Sequence, residues 1–173
     1  MTSPAERELL QDLADVLRNR FYGKYRGTVS AVDPETLRIK AVVPAVLGAA
    51  ETGWCLPCVP YAGKDVGMFF LPDVGAAVWI EFECGDVSLP VWAGCLWRHG
   101  EQPDVASPSV RGIVTASAHT LLFDDDAEEV TLTDANDNAI AMDASGMRHT
   151  RGNQSLMVGD ASVSVNDGAM EVS

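Results

Sequence analysis

Basic residues are scarce in this chain: 12 Lys and Arg stand against 25 Asp and Glu, giving a formal net charge of −13 and a pI near 4.4. Phosphate recognition needs clustered cations to displace counterions, so no nucleic-acid partner is expected. Long apolar runs are missing too. Mean hydropathy is +0.05, yet every uncharged stretch stops well short of the roughly 18 to 20 residues that cross a bilayer as a helix. No stable membrane insertion is expected. The first residues, Met1-Thr2-Ser3-Pro4-Ala5-Glu6-Arg7-Glu8, carry acids where a secretory leader has bases followed by an apolar stretch. Folding in the cytosol follows as an expectation, with the four cysteines as thiols. A Gly-rich phosphate loop, a Gly-x-Ser-x-Gly elbow and a His-Glu-x-x-His helix are all absent, so no catalytic residue is nominated and no enzyme is expected. What the 173 residues do hold is 47% hydrophobic side chains, enough for a sizeable core.

The charge is unevenly placed. Residues 1–103 carry 13 acids and 9 bases, whereas residues 104–173 carry 12 acids and 3 bases, a net of −9. The second stretch lacks Trp, Tyr, Cys and Lys and has one Phe, Phe123, while Trp54, Trp79, Trp92, Trp97 and all four Cys lie in the first. Two bodies with different packing are implied, joined through Gln102-Pro103-Asp104-Val105-Ala106-Ser107-Pro108-Ser109. The expected boundaries are a helical segment at 1–22, a barrel at 23–101, a linker at 102–112 and a repetitive β region at 113–173.

Leu9, Leu10, Leu13, Val16, Leu17 and Phe21 follow the spacing of one helix face, and Ser3, Pro4 and Glu6 form an N-terminal capping signature. The pattern predicts an amphipathic helix from Pro4 to Arg20 that either covers one end of the barrel or docks on a neighbouring subunit. Period-2 segments follow. Gly27–Val32 and Leu37–Val43 read as a hairpin around Asp33-Pro34-Glu35, Val59–Tyr61 as a third strand, Val78–Cys84 as a fourth and Leu89–Trp97 as a fifth. Five short strands suit a small antiparallel barrel.

From Ile113 onward, very short apolar strands alternate with turns rich in Asp, Asn and Gly. The strands are expected at 119–123, 129–133, 139–143, 147–150, 156–158, 162–165 and 169–172. About 60 such residues without large aromatics bury too little surface to offset their own conformational entropy. The regular Val, Leu, Ile and Met alternation argues against a solvated linker and for several chains winding together. A cyclic homotrimer satisfies this, each chain supplying one face of a triangular prism whose apolar side chains meet at the axis.

Six ordered blocks then carry a resemblance: Tyr25-Arg26-Gly27-Thr28-Val29, Leu37 to Gly48, Trp54 to Gly63, Phe69-Phe70-Leu71-Pro72-Asp73-Val74-Gly75, Val78 to Asp86 and Pro90 to Trp97. Over Phe21 to Trp97 the chain resembles the OB-fold domain of the phage baseplate assembly protein V and VgrG spike family. The segments His119 to Asp125 and Val130 to Asp134 are similar to that family's trimeric β-helix spike. The implied fold is mainly β: an N-terminal helix, a small five-stranded OB-fold barrel and a C-terminal trimeric intertwined β-helix. The resemblance implies the structural central spike of a contractile tail or phage-like injection particle, trimerising beneath the tube and forming a needle that punctures an envelope. Tail hub or tube and baseplate subunits are the implied partners. Gly27, Gly63, Gly75 and Gly94 are implied at barrel turns or close approaches, Pro44, Pro60, Pro72 and Pro90 at strand ends or edges, and Trp79 and Trp92 in the barrel or the trimer seam. Some spikes of this kind end in a His-x-His tip that binds iron; here His149-Thr150-Arg151 breaks that pattern, and a PAAR-type tip protein at the C-terminal end is implied instead.

Several chemistries compete with this reading. Cys55-Leu56-Pro57-Cys58 has the two-residue spacing of a zinc knuckle, but Cys84 and Cys95 are separated by ten residues in apolar strands and read as small hydrophobes. Glu81, Glu83 and Asp86 read as a solvated strand face and turn, and Asp124-Asp125-Asp126 as a turn without calcium-loop spacing. His99, His119 and His149 are either surface residues or, in a trimer, residues whose three copies meet at the axis around a metal. No cofactor is expected. The rival function is an OB-fold glycan- or peptide-binding module in which Trp54, Trp79, Trp92 or Trp97 offers a stacking platform and the tail serves to oligomerise it.

Overall fold

A computed structural model describes residues 3–172, apart from the side chain of Val16. The expectations placed on Met1, Thr2, Ser173 and the Val16 side chain lie outside the described residues. The chain divides into two compact units, residues 1–100 and 101–173.

Unit 1 opens with helix α1, Pro4–Arg18. Its start follows from the sequence: the Ser3 hydroxyl accepts from the Glu6 N–H at 3.2 Å, the Glu6 carboxylate accepts from the Ser3 N–H at 2.6 Å, and Pro4 holds the first helical position. The helix stops two residues before the expected Arg20, because the chain is then clipped to the barrel. The Phe21 N–H donates to the Gly85 carbonyl at 2.8 Å and Arg20 Nη1 lies 3.2 Å from Asp86.

Strands β1 (Tyr25–Asp33) and β2 (Arg38–Val42) form the expected hairpin. Asp33 fastens its turn by accepting from the Glu35 N–H and the Thr36 hydroxyl. Leu37, expected on the inward face of β2, instead closes the turn at φ 54° and stays exposed. A short helix α2 (Pro44–Leu47) leads to β3 (Leu56–Pro57), the hairpin β4 (Tyr61–Gly63) and β5 (Val66–Met68), then β6 (Ala77–Phe82), a 3-10 turn and β7 (Pro90–Cys95). The sheet order is β2-β1-β6-β7-β3. Two expectations change here. The third strand of the sheet is Leu56–Pro57 and not Val59–Tyr61, because Tyr61 belongs to the separate two-stranded hairpin. Cys84 leaves the β6 face by entering the 3-10 turn at φ 52°.

The sheet curls because the free edge of β2 bonds to the segment that feeds β3. Val42 bridges Glu51 and Ile39 bridges Cys55, while β3 runs parallel to β7 at the other edge. The result is the curled five-stranded half-barrel of an OB-like fold. Its core is Val29, Ile39, Ala41, Val43, Cys55, Val78, Ile80, Phe82 and Trp92, the inward alternate positions that the period-2 pattern selects. Gly27 allows a close crossing of β1, since a Cβ there would sit 3.2 Å from Ile80 Cγ1 and 3.3 Å from the Val42 carbonyl oxygen.

Unit 2 is an antiparallel meander of eight strands: β8 (Val110–Val114), β9 (Thr120–Asp124), β10 (Glu129–Thr133), β11 (Ala139–Asp143), β12 (Gly146–Arg151), β13 (Gln154–Val158), β14 (Val163–Val165) and β15 (Met170–Val172). Each pairs only with its sequence neighbours. Strand β8 begins at Val110, inside the stretch expected to be linker. The turns are built by the acidic residues. Asp124 accepts from the N–H groups of Asp126 and Ala127, Asp134 from those of Asn136 and Asn138, and Asp143 from that of Ser145. These bonds hold the Asp134 and Asp143 carboxyls below the usual carboxylate range.

Candidate assembly surfaces

Residues paired across antiparallel strands share a face, and neighbours along a strand alternate. That geometry sorts unit 2 into two unlike faces. One row runs through Ile113, Leu121, Leu132, Ile140, His149, Leu156, Val165 and Met170. The row beside it runs through Arg111, Phe123, Val130, Met142, Met147, Val158, Val163 and Val172. Apart from His149 and Arg111, every member is apolar. The opposite face mixes Thr131, Arg148, Ser164 and Glu171 with Leu122, Ala141 and Met157.

The apolar face is uncovered. Phe123, Leu132, Met142, Met147, Met170 and Val172 are 42 to 62% exposed, and no described side chain of unit 2 is buried. Unit 2 is therefore a sheet with a hydrophobic face and no second layer to cover it. A folded domain needs two packed layers around a core, so the missing layer must come from outside unit 2.

Unit 1 presents two further apolar surfaces. Along α1, Leu9, Leu10, Leu13 and Leu17 are 54 to 69% exposed. The helix thus does not close the barrel with its apolar face, which corrects the first of the two roles expected for it. Beside the barrel, a groove of about 700 Å³ runs between the β4–β5 hairpin and the sheet, lined by Leu37, Val59, Tyr61, Met68, Phe70 and Trp92 among others.

The cysteines and carboxylates weighed for chemistry are not brought together, whereas His119 and His149 line one cavity of about 370 Å³. Cys55 is buried and Cys58, Cys84 and Cys95 are exposed; all four are free thiols. Burial pushes the Cys55 thiol up, the direction opposite to that of a metal-binding thiolate. Among the described residues no group of three or more His, Cys, Asp or Glu side chains in one chain could hold a metal ion. Glu81 lies 3.5 Å from Lys24 and Asp86 3.2 Å from Arg20, so two of the three clustered carboxylates have separate cationic partners. Asp86 is held low first by its bonds from Ser88 and then by Arg20. Of the triplet in the β9–β10 turn, Asp124 caps the turn and Asp125 pairs with Arg111.

The tryptophans do not form a shared platform either. Trp92 is in the core, with its indole N–H donated to the Gly94 carbonyl at 3.0 Å. Trp79 already carries the Arg26 guanidinium at 5.7 Å and Trp54 the Lys40 ammonium at 5.1 Å, which leaves Trp97 as the freely exposed ring. Gly75 and Gly94 do adopt positive φ, 91° and 137°, and Pro90 does begin a strand, whereas Pro44 begins α2.

Residues 25–97 match the family model described as the Type VI secretion system/phage-baseplate injector OB domain. Residues 112–171 match that of the phage baseplate V C-terminal trimerisation domain. The two matches together cover more than three quarters of the chain, in the order in which the two units occur. No curated protein matches the sequence. Among the described residues no helix is long and apolar enough to cross a membrane.

Proposed function

The chain belongs to the baseplate V and VgrG-like spike proteins, structural components of phage-type baseplates, and from that premise we propose that three copies form the central spike of a contractile tail or phage-like injection particle. The three unit 2 sheets pack with their apolar faces inward as the three sides of a prism, and the barrels sit beneath the tail tube. The needle so formed breaches the target envelope mechanically, without chemistry of its own.

The observation that carries this reading is the uncovered apolar face of unit 2. It holds fourteen apolar side chains. At roughly 1 kcal/mol for completing the burial of each half-exposed side chain, a trimer gains on the order of 10 kcal/mol per chain. That is the stability a lone sheet lacks. The acidic excess stays on the outward face and in the turns, where it keeps the needle soluble and discourages adhesion to anionic lipid.

Partners follow from the other open surfaces. The leucine stripe of α1 docks on a hub or baseplate subunit, and β15, with Met170 60% and Val172 62% exposed, receives a PAAR-type tip protein. Assembly takes place in the bacterial cytoplasm before the particle is released. Light scattering tests the central claim: three chains of 18.5 kDa should travel as one elongated particle. A stable monomer at micromolar concentration would overturn the reading.

A further inference from the structure

We propose that in the free spike, before any hub subunit is met, the three α1 helices of one particle pack on one another as a parallel three-helix bundle. This rests on the trimeric reading above, and it gives the leucine stripe an occupant that the hub later displaces. Helix α1 has 15 residues, a length at which a lone helix is marginal in water and depends on packing its apolar face. The barrel does not supply that packing. Every described side chain of the helix other than Ala14 is exposed. Its own chain holds α1 at the base, through the Phe21 N–H donated to the Gly85 carbonyl and Arg20 beside Asp86.

The charges beside the stripe select its partner. Leu10, Leu13 and Leu17 follow the alternating spacing of a coiled-coil seam, with Leu9 beside them. On the helical wheel Glu8, Asp12 and Asp15 fall along one edge of that stripe, and Arg7 and Arg18 along the other. Glu6, within the stripe at the first turn, is drawn to the Ser3 N–H. Arg18 lies 3.9 Å from Asp15 across the polar back of the helix, whereas among the described residues Arg7, Glu8 and Asp12 have no ion-pair partner in their own chain. In a ring of parallel helices, one edge of each helix faces the opposite edge of the next, so every acidic edge meets a basic one. An antiparallel pair would set like edges against each other. A second copy therefore complements the stripe in both polarity and charge. The trimer also brings it within reach. Residues 101–109 alone separate the end of unit 1 from β8, a stretch that spans about 30 Å at most. Three barrels tethered so closely to one trimeric unit 2 hold their helices at a local concentration on the order of millimolar, which lets helices too short to pair from free solution associate.

The test uses the full chain with its three exposed cysteines replaced, Cys58→Ser, Cys84→Ser and Cys95→Ser, and one cysteine placed on α1: Leu13→Cys in the stripe or Gln11→Cys on the polar back. After copper-catalysed oxidation, non-reducing gels report interchain disulfides, and light scattering on the same samples reports mass. Leu13→Cys chains should link in pairs within an unchanged trimeric mass, and Gln11→Cys chains several-fold less. Adding Asp12→Arg to Leu13→Cys should lower the linked fraction several-fold, and adding Arg7→Glu as well should restore most of it. Leu17→Cys serves as a second stripe position should Leu13→Cys reduce the far-UV helicity. A trimer whose stripe cysteines stay unlinked, or link no more than Gln11→Cys, overturns the bundle and leaves the spike intact. Links that come with a doubled mass join separate particles and overturn it too. A monomeric chain overturns the trimer and the bundle together.

Discussion

The two units solve the same packing problem by different means. Unit 1 places Ile39, Val78 and Ile80 at zero exposure inside one chain, and its edge strands are drawn together through the bridges at Glu51 and Cys55. Unit 2 has as regular an alternation but lays its eight strands out side by side, so its apolar face looks outward. A barrel recruits its second layer from its own curvature, whereas an open meander must recruit it from other chains. The aromatic content follows the same division. Phe21 meets Tyr25 and Phe82 edge to face, and Tyr25 and Phe82 pack tilted against each other, within one barrel, while the uncovered face of unit 2 is built of Val, Leu, Ile and Met with Phe123 as its one aromatic ring.

That contrast can be broken most sharply in the middle of the apolar face. Leu132→Asp buries three carboxylates per trimer, and we expect loss of the trimeric mass at micromolar concentration while near-UV circular dichroism of the tryptophans in unit 1 is unchanged. The converse substitution, Ile39→Ala, leaves a cavity in the barrel. It should lower unit 1 stability by about 2 to 5 kcal/mol in denaturant unfolding followed by tryptophan fluorescence, without altering the trimer.

Within unit 2, two glycines sharpen the point that its hairpins are set locally. Gly146 has φ 128°, and a Cβ there would fall 2.1 Å from the Val158 carbonyl oxygen. Gly152 has φ 55° and open space around it. Gly146→Ala should destabilise by several-fold more than Gly152→Ala, for which about 1 kcal/mol per chain is expected, read from thermal unfolding of the trimer. At the other end of the chain, Ser3→Ala removes one half of the capping box. It should cost α1 about 1 kcal/mol, seen as reduced far-UV helicity with no change in mass.

The smallest effect is on pH. Asp33, Asp86, Asp134 and Asp143 all have folded-state carboxyls held below the ordinary aspartate value of about 4 by the hydrogen bonds they accept. Their contribution to stability is therefore present in full above that value and is lost as the pH falls below it and the carboxylates protonate. Melting scans at pH 6 and pH 3 should show this decline in both units. Asp134→Asn should flatten the unit 2 part of it by removing one of the depressed groups.

Much of this architecture was legible from local signals. The capping residues Ser3, Pro4 and Glu6, the hairpin around Asp33, and the strands Glu129–Thr133 and Ala139–Asp143 follow from side-chain chemistry within a few residues, and they stand where the pattern put them. Leu37 and Cys84 did not, because each continues a period-2 run yet closes a turn in the left-handed region, and periodicity carries no signal for where a strand stops. The third strand escaped for a different reason. Leu56–Pro57 pairs in parallel with β7, more than thirty residues away, and two residues are too few to display any period. The strand β8 was hidden by Pro108 and Arg111, which read as linker until Arg111 is seen beside Phe123.

The order of the elements, the inward positions of the barrel strands and the alternation that makes unit 2 apolar on one side were determined by the sequence alone, since each depends on near neighbours. Which strands meet was decided only by the tertiary structure. Cross-strand register is a long-range choice, and it is register that turns scattered apolar residues into one uncovered face.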